Sequence, residues 1–575
     1  MKGLLVAIML LLSVGVWAQT GPSDFDFEKA EIVLADVMRQ DIRDEEVLAQ
    51  SGAVAGMVGV KQFIDGRYDD AIRSLNFAIQ HPQLCSSTMQ VMNHVFLVHA
   101  LCIRGNRRAL TVLGEVVPLL QDLQENTIRG DFPATYAHGV RNVMNNLLLP
   151  LTSLVSKTFT DQEALSLCFN LMLYLKQFAF YQLANRGGTD LRHTLNIDYR
   201  SMIASRLERG EVAVEMVPCM DIDRRKVRGT RFVAYLVDCR GRLTFVDLCG
   251  KSEVEALYAD NDSPWMLYAA GGGRLRSLAW QRLQPYVNRS RKIYLAPCGI
   301  LNRVNYVLFD SRVRELSSLS ELNKDYPVRV AAEALLMGDV DYDQTLASKS
   351  RGDRDWGRLR ATKKEIESAA KSLSASYKVT RLTGSAVTEE AVRGACKASP
   401  AILHFATHAI CYTDSVARSQ YDYFQFPWTF SPLKPELTYT GLVLSGGNKG
   451  FRQQGGMSMD NDGILLSEEI ARLRLDGTSL VVLSACDSGN GVFDDIEGTL
   501  GLVKAFKLAG VKTVVASLSK VDDDAASEFM AAFYEQMGST ANLHTAFVKA
   551  QQSMQLRHPE QPKLWAAFKL IDCQD

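Results

Sequence analysis

Two uninterrupted runs of apolar or small residues lie in the last third of the chain, Leu403 to Thr407 and Ser479 to Ala485. Neither alternates with polar positions, so each predicts a strand covered on both faces, as in a largely parallel sheet. Further upstream, RFVAYLVDC and LTFVDL flank Arg240-Gly241-Arg242 and predict a hairpin over 231–248, and residues 292–297 predict another buried strand. Between residues 19 and 195 the apolar positions recur with helical spacing instead. Leu147 to Leu154, interrupted by Pro150, and Ala164 to Leu183 are strongly apolar without a legible period. From Cys411 to Asp462 the pattern breaks down into aromatics (Tyr421, Tyr423, Phe424, Phe426, Trp428, Phe430) and then Gly and Gln. This predicts a long irregular loop, of a length that is usually either functional or disordered.

Within the helical part, Gly59, Gly66, Tyr68, Ala71, Leu75 and Ala78 fall at the relative spacings of one tetratricopeptide-like helical hairpin, closed by Pro82. One hairpin cannot bury its own face, and a degenerate second unit is expected from Val91 to Leu123, with Gly105 and Ala109 at corresponding places. Two readings of this region stay open: a concave surface for a protein partner or substrate, or a helical shoulder packed permanently against the rest of the chain.

Composition narrows the class. A chain of 575 residues, 47% hydrophobic and 22% charged, holds two or three domains. A formal charge of −1 with no concentrated basic stripe argues against a nucleic-acid partner. The eleven cysteines form no CxxC pair and no Cys/His spacing suited to zinc, and no phosphate loop, dinucleotide fingerprint or calcium loop occurs, so neither metal nor cofactor is expected. Met1-Lys2 followed by an apolar stretch from Leu4 to Trp17, ending Val16-Trp17-Ala18 before Gln19, predicts a secretory signal over 1–18. That stretch is shorter than the roughly 20 residues of a membrane span and runs into the polar turn Gly21-Pro22-Ser23-Asp24, so no stable span is expected. The expectation is an exported bacterial protein, periplasmic or secreted. Export permits disulfides, yet the cysteines are not arranged as a stapled framework, and whether Cys239 and Cys249 bridge stays open.

The chemistry-bearing residues stand where the two buried strands stop. His408 follows the first run and Cys486 the second. A thiol with a pKa near ~8.5 needs an imidazole to lower that value or take its proton, and rigid strand ends hold the two groups within reach. Asp487-Ser488-Gly489-Asn490-Gly491 comes next; its glycines allow close approach of a substrate backbone. The backbone N–H groups of Cys486 and Ala409 then face a developing oxyanion. His404, deeper in its strand, reads as a hydrogen-bonded core histidine, and Asp487, adjacent to the thiol on a strand end, points away and reads as structural.

HFATHA at 404–409, LSACDSGNG at 483–491, EGTLGLVKAFKLAGVKTVVASL at 497–518, KVDDDAASEFMAAFY at 520–534 and WAAFKL at 565–570 resemble the successive blocks of the CHAT domain family. EVAVEM at 211–216, KIYLAPCGILNRVNYVLF at 292–309 and TKKEIESAAKSL at 362–373 fit the same series. The resemblance covers about residues 195 to 575. It implies an α/β caspase-like fold, separase-like in kind: a pseudo-caspase-like subdomain over 196–357 and a catalytic subdomain over 358–575, preceded by the helical-repeat-like region 19–195. It implies a cysteine-type endopeptidase with His408 as base, Cys486 as nucleophile and a thioester acyl-enzyme. Ala409 stands where many relatives have Gly, Ser519 where a Trp is common, and Cys298-Gly299 and Asn305-Tyr306-Val307 depart from the usual upstream pairings.

In separase-like relatives an acidic residue in the block matching Asp522-Asp523-Asp524 binds a basic P1 side chain, which places Asp523 and then Asp522 as candidates for the P1 pocket. The same run, ahead of Ala525-Ala526-Ser527-Glu528, also reads as the charged start of a helix, with Asp524 as its cap. Lys449 and Arg452 in the irregular loop are candidate self-cleavage points. The expected function is thus an exported endopeptidase acting on protein or peptide substrates, cleaving after Arg or Lys. The alternative is a catalytically silent scaffold that binds protein partners.

Overall fold

Small residues and side-chain caps shape the N-terminal helices. α1 (Phe27–Arg39) precedes α2 (Glu45–Ile64), whose N-cap Asp44 accepts hydrogen bonds from the Glu46 and Val47 N–H groups at 3.0 and 3.2 Å. α3 (Tyr68–Gln80) follows Gly66, which takes the left-handed φ of 82° that the turn requires. A Cβ on Gly59 would lie 2.7 Å from Leu75 Cγ, so the missing side chain is what lets α2 and α3 approach. Ala71, Leu75 and Ala78 are completely buried in this hairpin. α4 (Ser87–Ile103), capped by Ser86, and α5 (Arg108–Arg129) pack as the next pair, with Ala109 fully buried at its start. A further helix covers residues 148–158, and α6 (Gln162–Ala184), α7 (Lys251–Ala259) and α8 (Gly273–Ala279) follow along the chain. Among the described residues α2 alone is long and apolar enough to cross a membrane; half of that window is buried inside the protein, as a core helix would be.

The computed structural model describes residues 27–40, 42–129, 148–184, 197–223, 226–259, 266–269, 273–326, 332–343, 356–411, 440–449, 461–485, 492–494, 498–518, 521–540 and 542–573. The expected signal segment, Arg452, Cys486, Asp487 and Ser519 lie outside the described residues. The chain divides into two compact units. One is the helical unit, running to Phe178 and including Asp190–Ile197 and Cys219–Arg228; the other comprises Ala179–Thr189, Asp198–Pro218 and Gly229–Asp575.

The second unit contains two main sheets. β1 (Glu211–Asp223), β2 (Lys226–Asp238), β3 (Leu243–Gly250), β4 (Lys292–Ala296) and β5 (Val313–Glu315) lie in the order β3-β2-β1-β4-β5. The expected hairpin is β2–β3, antiparallel, while β1, β4 and β5 pair in parallel. The other sheet has the order β16-β15-β12-β8-β6-β7, built from β6 (Glu333–Val340), β7 (Lys378–Gly384), β8 (Ile402–Ala406), β12 (Leu480–Ser484), β15 (Thr513–Ser517) and β16 (Phe568–Ile571). All its pairs are parallel except β15 with β16. A small sheet, β9 (Ala409–Cys411), β10 (Thr440–Val443) and β11 (Ile464–Leu466), follows directly from β8.

Burial on both faces explains why the central strands read as unbroken apolar runs. Ile402, Ala406, Leu480 and Val482 face one core with α9 (Thr362–Leu373), α12 (Asp523–Ser539) and α13 (Leu543–Arg557). Leu403, Phe405, Val481 and Leu483 face the other, with α10 (Glu389–Cys396), α11 (Leu502–Leu508) and the small sheet. Polar side chains join the two main sheets. The buried Asn305 amide donates to the Phe568 and Ala566 carbonyls at 2.8 and 3.3 Å, which accounts for one departure from the family pattern as packing. Lys507, 4% exposed, reaches the Tyr326 hydroxyl and the Lys512 carbonyl at 2.7 Å, with Glu321 and Asp572 carboxylates at 3.2 and 3.5 Å.

Candidate active site

β8 and β12 are adjacent parallel strands in register from Ile402↔Leu480 to Ala406↔Ser484, and Thr407 N–H extends the pairing to the Ser484 carbonyl at 3.3 Å. His408 is the second residue beyond β8. Cys486, the second beyond β12 in the sequence, is outside the described residues.

The His408 imidazole is held by main chain. Its Nε2 lies 2.8 Å from the Gly357 carbonyl. A carbonyl only accepts, so Nε2 carries the hydrogen and Nδ1 is the lone-pair nitrogen of the neutral ring. The Tyr342 ring lies across the imidazole, centroids 5.0 Å apart and planes inclined by 54°. Tyr342 donates its hydroxyl to Thr407 Oγ1 at 3.0 Å, and Thr407 donates onward to the Val443 carbonyl. Val443 N–H in turn donates to the His408 carbonyl at 2.8 Å. With that bond in place, Ala409 and Leu442 form a non-hydrogen-bonded antiparallel pair. The Ala409 N–H therefore points away from β10, toward the outer edge of β9, and is not engaged by the ladder.

The segment that presents the Gly357 carbonyl is tied down at several points. Asn448, 1% exposed, accepts the Trp356 N–H at 2.8 Å and donates Nδ2 to the Trp356 carbonyl at 3.1 Å and to Asp343 Oδ1 at 2.8 Å. Arg358 pairs with Asp339 at 2.6 Å. Ala361 N–H donates to Asp523 Oδ2 at 2.7 Å, and Thr362 Oγ1 accepts the Asp339 N–H. None of these groups was among the sequence-derived candidates except Asp523. A main-chain carbonyl has no sequence signature, and Asn448 lies in a Gly-rich stretch that reads only as loop.

Of the acidic run, Asp522 is the N-cap of α12, its carboxylate accepting the Ala525 N–H at 3.3 Å, so the cap is Asp522 and not Asp524. Asp522 is exposed. Asp523 is half-buried, and burial first, then the neighbouring Glu365, Asp524 and Asp522 carboxylates, push its carboxyl up despite the Ala361 N–H. His404 is a fully buried core residue: Nδ1 lies 2.9 Å from the Tyr534 hydroxyl and Nε2 3.0 Å from Glu365 Oε1.

Several of the described thiols are buried and unlike a nucleophile. Cys85, Cys102, Cys168, Cys219, Cys239, Cys249, Cys298, Cys396 and Cys573 are free, so Cys239 and Cys249 do not bridge. Burial pushes the thiols of Cys102, Cys168, Cys249 and Cys396 up to about 12. Among the described residues no cluster of His, Cys, Asp or Glu is arranged to hold a metal.

A parallel-rich sheet between two helical layers, a second sheet beside it and an all-α region ahead of both define a caspase-like α/β protein. The CHAT domain matches residues 272–572, just over half of the chain, and the chain belongs to the CHAT domain family. The match begins downstream of residue 195, where the resemblance in the sequence blocks starts. No curated protein matches the sequence significantly. Among solved structures, the chain is similar to the Arg-specific cysteine proteinase gingipain R at 9% identity and a TM-score of 0.33, over 52% of this chain and 66% of that one. It is also similar to the Saccharomyces cerevisiae separase–securin complex at 9% identity and a TM-score of 0.44, over 99% of this chain and 49% of that one. The chain thus spans less than two thirds of gingipain R and about half of the separase chain. The CHAT match, not these distant likenesses, carries the assignment.

Proposed function

We propose that this chain is an exported cysteine endopeptidase in which His408 and Cys486 form the catalytic dyad. The observation that carries the reading is the His408 ring, two residues past β8 and anchored through Nε2 to the Gly357 carbonyl. Nδ1 takes the thiol proton of Cys486, and the thiolate adds to the scissile carbonyl. The N–H groups of Ala409 and Cys486 stabilise the resulting oxyanion. The imidazolium, its Nε2–H held by Gly357, then protonates the departing amine as the C–N bond breaks and a thioester remains. Water, giving its proton to Nδ1, adds to the thioester; the carboxylic acid leaves and the thiol is restored.

For P1 the proposal is a basic residue, with Asp522 the better anchor. Asp523 is half-buried, its carboxyl is raised and one oxygen already serves the start of α9. Asp522 is exposed, and its cap bond to Ala525 leaves further lone pairs for charge-assisted contacts with a guanidinium. Export rests on residues 1–18 alone.

A peptidyl acyloxymethyl ketone with Arg at P1 tests the reading, followed by peptide mapping. A single adduct on Cys486, absent when His408 is replaced by Ala, is expected. Equal labelling of several cysteines, or labelling indifferent to His408, contradicts the dyad and favours a scaffold.

A further inference from the structure

Gly357 can orient His408 only if its own carbonyl is fixed, and the residues on either side show what fixes it. Arg358 is held by an ion pair to Asp339 whose guanidinium is largely exposed, a weak restraint. Trp356 is held by the buried primary amide of Asn448, which pairs with both its N–H and its carbonyl as a strand neighbour would. The same amide reaches Asp343 Oδ1, and the Asn448 N–H donates to the Tyr342 carbonyl at 3.1 Å. One side chain thereby fixes the peptide before Gly357, while its own main chain holds Tyr342, whose ring lies over the imidazole. We infer that Asn448 is a positioning residue: it sets the Gly357 carbonyl that keeps the His408 hydrogen on Nε2 and leaves Nδ1 to accept a proton. The inference rests on the peptidase reading above.

The amide is well suited to this. It satisfies a donor and an acceptor of one residue at once without introducing a charge beside the imidazole. Titratable and charged groups on the segments about His408 include Tyr342, the mutually paired Asp339 and Arg358, Asp341 and Asp343. Of these, Asp343 loses a partner when Asn448 is truncated, so Asp343→Asn serves as the control for any effect of that charge.

The test is the pH dependence of iodoacetamide alkylation at Cys486, followed by peptide mapping on the full chain, with hydrolysis kinetics beside it. In the wild type a carbonyl at Nε2 supports the imidazolium, and the thiolate forms below the ordinary thiol range. Asn448→Ala is expected to raise the half-point of alkylation by about one pH unit and to lower kcat about tenfold with KM within about twofold, the loss of one oriented hydrogen bond. Asn448→Ser, smaller but polar, is expected to do the same if the Ala variant does not fold. Asp343→Asn leaves the half-point in place, and Asn305→Ala, another buried amide, lowers thermal stability without moving it. A wild-type half-point in both Asn448 variants, with His408→Ala still altering the profile, overturns the inference alone. A profile indifferent to His408→Ala overturns the dyad and the inference together.

Discussion

A neutral main-chain carbonyl holds Nε2 of the His408 ring, whereas a carboxylate orients many catalytic imidazoles. It cannot take a proton, so it fixes the tautomer without competing for the charge that the proposed mechanism puts on the ring. At this scale the acidic run is also separable. Asp522→Asn is expected to lower kcat/KM for Arg and Lys substrates by about 10- to 100-fold, the range of a hydrogen bond to a charged group, and to leave Leu substrates unchanged. Asp523→Asn is expected to act on stability instead, since Asp523 accepts the Ala361 N–H. The reverse pattern in a substrate panel returns the P1 role to Asp523. The place of His408 just past a buried strand was legible in the sequence, as was His404 as a core histidine. The Gly357 carbonyl and the Asn448 clamp were not, because they arise from main chain brought together from distant segments. Three consecutive aspartates look alike to any pattern; only the geometry shows that Asp522 caps the helix.

Among the elements, the unbroken runs at 402–406 and 480–484 were readable because both faces of the sheet are covered, which removes alternation. β9, β10 and β11 were not, since each has only a few residues and pairs across a long insertion. This small sheet carries a pH-sensitive contact. Glu469 accepts the Leu466 N–H after β11 and pairs with Arg393 of α10, and burial pushes its carboxyl from 4.5 up to about 7. The folded protein therefore binds an extra proton between these values, and stability falls as pH rises from about 4.5 to about 7. Glu469→Gln removes that slope: relative to wild type, its melting temperature is expected to rise between pH 5 and pH 8. A relative fall over the same interval contradicts the assignment. Gly463, at φ 83° between β10 and β11, would place a Cβ 2.4 Å from Gly447 N, so this connection tolerates no side chain there.

Across the second unit as a whole, two sheets are joined through buried charge as well as apolar packing. Against burial, which raises it, Lys324 and Lys507 draw the Glu321 carboxyl down to about 2, while burial raises the Asp572 carboxyl beside it. Lys507→Met leaves Glu321 and Asp572 without their shared cation and is expected to cost about 3–5 kcal/mol in urea unfolding, the penalty of stranding a buried charge. A change below about 1 kcal/mol would mean that apolar packing alone joins the sheets. Strand order at this scale was beyond reach of the sequence, because parallel neighbours such as β6 and β8 are paired across intervening helices and loops. The CHAT-family fold is proposed to carry a working Cys486–His408 dyad. The most direct measurement is hydrolysis of fluorogenic peptides with Arg, Lys, Leu and Asp at P1 by the wild type, Cys486→Ala and His408→Ala. Cleavage by the wild type that both substitutions abolish is the predicted result. Cleavage that survives either substitution, or no cleavage by any of the three, would contradict it.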